Sequence, residues 1–131
     1  MFENAAVIDA YTRAQAIEDG VLVDMTQGEF GQMAREAGFR FPLAMTETAF
    51  AKYVDLTPAA IRAGNDRKGR WWDILIMLKY AIKRGGNGSE LLFELRCVTN
   101  SVRPNRIVLK SVCGPGDDGE PVITIMLPEE D

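Results

Sequence analysis

DRKGRWWDILIMLKYAIKRGGNGSELLFELRCV, Asp66 to Val98, changes its apolar period halfway along. From Asp66 to Arg84, Trp71, Ile74, Leu75, Leu78, Ala81 and Ile82 recur at steps of three and four, which places them on one face of a helix. After Gly85, Gly86 and Gly88 the step becomes two: Leu91, Phe93, Leu95 and Cys97 share one side of a strand, and Glu94 and Arg96 the other. A long helix that feeds a half-buried strand through a glycine break makes the chain α+β, with the helix as spine of the core. Asp66 stands near the helix's positive end, and Lys79, Lys83 and Arg84 near its negative end, which suits the macrodipole.

Trp72, Ile76 and Tyr80 form a second apolar stripe at steps of four, turned away from the first. The favoured reading is a helix sandwiched between the sheet and small N-terminal helices. The alternative is a docking surface.

Toward the C-terminus, RIVLKSVC and VITIML complete a meander. With SVRPNR as the first connection, Leu95 pairs with Leu109, Glu94 with Lys110, and Lys110 with Thr124, so apolar meets apolar and charge meets opposite charge. That register sets Cys97 near Ile107 and Cys113 near Leu91, too far apart for a disulfide, so both are expected as free thiols. GPGDDGE, Gly114 to Glu120, is then the last turn: glycine and proline supply the conformations and the acids keep the tip in water.

Toward the N-terminus the elements are short. Thr12 and Gln15 match a capping box for a helix closed by Gly20, and Tyr11 beside them reads as an aromatic staple. VLVDM reads as a strand, Gln27 to Ala37 as a helix ended by Gly38, and FRFPLAM as extended chain. Thr46 caps ETAFAKYV, Pro58 suits the first turn of another helix, and Gly64 ends it. The expected architecture is one α+β domain over 1–131: an antiparallel sheet of three or more strands on one long helix, with short N-terminal helices.

With 131 residues, 47% hydrophobic and 26% charged, the chain fits one domain burying about two-thirds of its unfolded surface. Histidine is absent, which removes Ser-His-Asp and Cys-His nucleophile activation and the 2-His-1-carboxylate iron site. Two cysteines without histidine make no zinc site. The opening MFENAAVIDAYTRAQ reads as neither a secretory signal nor a transit peptide, and no run approaches a membrane span, so a cytoplasmic protein with no membrane partner is expected. An enzyme here would run on carboxylates, lysine or tyrosine. No two acids stand out by spacing, so no catalytic residue and no cofactor are assigned.

Two groups of side chains are candidates for an interaction site. Asp117, Asp118 and Glu120 resemble ligands of a hard cation, but their spacing fails the EF-hand pattern and they would repel phosphate; no metal is expected. Arg67, Lys68 and Arg70 beside Trp72 could meet nucleic acid through phosphates and stacking, against which the net charge of -4 argues. A solvated helix edge accounts for the same residues.

YTRAQAIEDGVLVDMT, MAREAGFRFPLAMT, RWWDILIMLKYAIKR and VCGPGDDGEPVITIMLPEED together resemble a domain-of-unknown-function family of small proteins carried on bacterial plasmids, integrative elements and phage-like islands. The resemblance covers nearly the whole chain. It implies a mobile-element accessory protein with a role in evading host defence, and it carries over no catalytic residue. The leading expectation is a non-enzymatic interaction protein whose partner is a host or element-encoded protein or nucleoprotein. The alternatives are a small carboxylate-based hydrolase or transferase and a nucleic-acid-binding accessory protein.

Overall fold

Thr12 accepts a hydrogen bond from the Gln15 amide while the Gln15 side chain accepts one from the Thr12 amide, and this capping box opens α1 (Arg13–Glu18). The computed structural model describes residues 11–85 and 88–130. The readings made of the opening ten residues, of Gly86 and of Asp131 lie outside them. β1 (Leu22–Asp24) leads to α2 (Gly28–Glu36), and β2 (Leu43–Thr46) runs directly into α3 (Glu47–Tyr53) with Thr46 as cap. α4 (Pro58–Arg62) is capped by Thr57, and α5 (Arg67–Lys83) by Asp66, whose carboxylate accepts from the Gly69 amide at 2.6 Å. β3 (Glu90–Val98), β4 (Pro104–Pro115) and β5 (Pro121–Met126) complete the fold. Gly31 is fixed by space: a Cβ there would lie 1.8 Å from the Thr26 carbonyl oxygen.

The meander forms, inside a larger sheet. The strand order is β1-β2-β5-β4-β3, and β2 runs parallel to β5 through Leu43↔Ile123 and Met45↔Ile125, so the five-stranded sheet is mixed rather than purely antiparallel. Leu43, Ala44 and Met45 are all buried, a continuous apolar run without alternation, as an inner strand covered on both faces requires.

The hairpin register differs by two residues from the expected one. Leu95 pairs with Ile107, Glu94 with Val108, and Lys110 with Leu92 on one side and Met126 on the other. The ladder runs on to Val98↔Pro104, because Pro104 opens β4 where no ladder donor is needed and the connection is Thr99 to Arg103. An even slip keeps every side chain on its face, so the apolar pattern could not detect it. Cys97 and Cys113 are free thiols in this register too.

Trp71, Ile74, Leu75 and Leu78 of α5 are fully buried against Phe93, Leu95, Leu109, Ile123 and Ile125 of the sheet. α2 closes the same core from the side: the Phe30 and Trp71 rings meet edge to face at 6.3 Å, and the indole Nε1 donates to the Phe30 carbonyl. Sheet and α2 thus share one stripe of α5, and most of the second stripe is left outside. Tyr80 is 52% exposed and Trp72 is exposed as well, whereas Ile76 is half-buried against the core, so the sandwiched reading is overturned for Trp72 and Tyr80. No helix among the described residues is long and apolar enough to cross a membrane.

Candidate functional site

The two groups singled out in the sequence are held by the fold in ways the sequence did not reveal. Arg70, read as part of a solvated edge, is only 4% exposed. Its guanidinium donates to the carbonyls of Tyr53 at 2.9 Å, Val98 at 2.8 Å and Lys52 at 3.2 Å. Lys52 and Tyr53 end α3, where helical carbonyls lack partners, and the planar five-donor fork suits that task. Arg67 pairs with Asp55 at 2.7 Å and holds that carboxyl below its usual range, with the Leu56 amide assisting. Lys68 lies 3.3 Å from Glu29 of α2.

At the hairpin tip, Asp117 accepts from the amides of Arg13 and Ala14, the first two of α1. This carboxylate joins opposite ends of the chain and satisfies orphan donors of a helix start. Glu120 accepts from the Asp118 amide and closes its own turn, with Gly119 at φ +83. The terminal acids divide likewise: Glu130 accepts from Thr46 and the Leu127 amide, and its carbonyl takes the Lys110 ammonium, whereas Glu129 is exposed. Among the described residues no three acids or cysteines are grouped to hold a metal ion.

Replacing Asp117 by Ala is therefore expected to cost about 1 kcal/mol, the usual worth of a helix cap. Asp118→Ala should stay within about 0.5 kcal/mol. The reading of the tip acids as merely keeping the turn in water thus changes for Asp117. Equal thermal shifts for the two variants would contradict the cap.

A concave site forms elsewhere. α2 ends at Ala37, and Gly38 takes φ +102, so the Phe39 amide turns back onto the Ala34 carbonyl and the chain leaves through Arg40, Phe41 and Pro42. This connection faces the last turns of α5 across a groove of about 360 Å³. Phe39, Phe41, Ile82 and Ile123 give it apolar walls, and Arg40, Lys79 and Lys83 supply cations; among the described residues no acid lines it. Phe41 is 46% and Ile82 40% exposed, although Ile82 was expected in the core stripe. The Lys79 ammonium lies beside Gly38, 3.7 Å from where a Cβ would stand, at the negative end of α2.

Lys68, Trp72, Lys79 and Lys83 follow one another along α5 at steps of four, seven and four, so the basic edge and the exposed tryptophan share a flank with the groove. The geometry brings Lys68 and Trp72 toward one surface and sets Arg70 and Asp117 apart as structural. Sequence reasoning missed Arg40, Phe41, Lys79 and Lys83. The available signal was FRFP, two large aromatics around a cation in a connection where turn residues are the rule. Burial pushes the Cys97 thiol up, which disfavours the thiolate that a nucleophile needs.

No curated protein matches the chain, and neither does any solved structure. One family model covers residues 1–131, and by that match the chain belongs to a family of unknown function, DUF6573.

Proposed function

We propose that this protein is a non-enzymatic interaction module that holds an acidic, apolar-bearing segment of a partner protein in the groove between the α2–β2 connection and α5. The observation that carries the reading is the union of exposed Phe41 and Ile82 with Arg40, Lys79 and Lys83 in one concavity with no acid among its described lining residues. An apolar floor supplies affinity, and a single-sign rim selects an acidic partner and speeds its approach at low salt. Trp72 and Lys68 extend the same surface along α5. In this proposal the setting is a mobile genetic element, and the partner is a host or element-encoded protein of a defence complex, as the family resemblance implies.

The test compares capture of a partner by the wild type and by a Phe41→Ser, Lys83→Glu double variant. Both side chains are exposed, so the melting temperature should stay within a few degrees. Capture should fall at least tenfold and weaken with added salt in the wild type. Undiminished capture by the double variant overturns the site. Loss of retention on a nucleic-acid column in its place would favour a nucleic-acid partner for the same cations.

A further inference from the structure

We infer that β3 is a self-pairing edge, and that two copies of this chain join through it in an antiparallel, two-fold dimer. β3 is the last strand of the sheet, so among the described residues one of its sides has no strand beside it. Which backbone groups face outward follows from the ladder. The Cys113 amide donates to the Ser89 carbonyl at 2.7 Å, and in an antiparallel pair the bonded positions recur every second residue. Leu91, Phe93, Leu95 and Cys97 therefore bond to β4, and the amides and carbonyls of Glu90, Leu92, Glu94, Arg96 and Val98 point away from it. The Val98 carbonyl is already taken by Arg70, which agrees with this parity and closes that end. The open edge runs from Glu90 to Arg96.

ELLFELR, Glu90 to Arg96, is complementary to itself when reversed. With the two-fold axis at Phe93, Glu90 meets Arg96 of the second copy, Leu91 meets Leu95, Leu92 meets Glu94, and Phe93 meets Phe93. Each outward backbone group then finds a partner, and the apolar face continues across the axis. An axis at Glu94 sets two glutamates face to face, one at Leu92 sets Glu90 against Glu94, and one at Leu95 calls on the Val98 carbonyl that Arg70 occupies.

Charge on the strand points the same way. Arg96 lies directly opposite Arg106 in β4, a like-charge pair of the kind that weakens a ladder. Arg106 leans 3.7 Å from Glu94 and leaves Arg96 with no ion pair among the described residues. Glu90 of the second copy supplies the missing acid. Guarding charges on an edge also exclude other strands, so a sequence that pairs only with its own reverse is selective.

α5 does not seal this edge. Grooves of about 490 and 480 Å³ run between it and β3, lined by Met77, Tyr80 and Leu91 in one and by Asp73, Ile76 and Leu95 in the other. Ile76, exposed Tyr80 and exposed Leu92 border the proposed contact, which gives Ile76 and Tyr80 a partner and leaves Trp72 to the groove side.

Sedimentation equilibrium on the full chain decides the matter. The wild type should dimerise, and Arg96→Glu or Glu90→Arg alone should weaken the dimer at least about tenfold, because each sets two like-charge pairs across the axis. The double variant Glu90→Arg, Arg96→Glu restores opposite charges and should recover the wild-type constant. Both sites are exposed, and an unchanged melting profile confirms that each variant is folded. A wild type monomeric up to millimolar concentration, a dimer indifferent to the single changes, or a double variant without recovery would each overturn the inference, as would a monomer that takes up a strand from another protein. None of these outcomes bears on the groove, which lies on the opposite flank of α5.

Discussion

Arg70→Met should destabilise the fold by about 3 to 5 kcal/mol, the cost of removing one member of a buried charge-assisted set. The guanidinium ties α5 to the end of α3 through Lys52 and Tyr53 and to the end of β3 through Val98. Methionine fills much of the volume but leaves three carbonyls short of a donor, the one on Val98 in a buried place. Lysine should rescue only part of the loss, since one ammonium cannot span carbonyls on two elements as a planar fork does. The comparison is Arg67→Met, three residues away, whose pair with Asp55 is exposed to solvent and whose loss should therefore shift stability far less. Urea midpoints measure both; similar shifts would mean that Arg70 is not the anchor its contacts describe. Against a total stability of about 5 to 15 kcal/mol, the Arg70 loss would leave a marginal protein.

Leu78→Ala should cost about 2 to 5 kcal/mol. Leu78 is fully buried, two turns from Trp71 on the stripe that sheet and α2 share, so neighbours cannot collapse into the space without moving a strand. Ile82, one turn further along α5, is 40% exposed on the groove wall, and its replacement by alanine should cost well under half as much. Chemical denaturation of the two variants, with unchanged slope, reads the difference. Equal losses would place Ile82 inside the core and remove the apolar wall on which the groove reading depends.

Local chemistry is what made so much of the fold legible. Capping and first-turn residues act within one turn of themselves, so Thr12, Thr46 and Pro58 announce helix starts wherever the helices finally pack, while the caps at Thr57 and Asp66 are visible only in the structure. The switch from a period of 3.6 to a period of two around Gly85 identifies α5 and β3 in the same way. Faces were legible and registers were not: Leu95 faces the core whether it pairs with Leu109 or Ile107. The candidate site was the least legible part. Arg70 and Arg67 are alike in sequence, and only the position of the α3 end decides which one is buried. Asp117 and Asp118 are neighbours, and only the docking of α1 on the hairpin tip separates a cap from a solvated acid.

By itself, then, the sequence determined the α+β class, the long amphipathic helix and the C-terminal meander, because each rests on a period or a residue type acting over a few positions. Tertiary structure decided the parallel pairing of β2 with β5, which of the charged side chains are structural, and the groove that joins Phe41 to Lys83. These depend on which distant segments come together. A residue's partners across the fold are set by packing the whole chain at once, and no spacing along the chain encodes them.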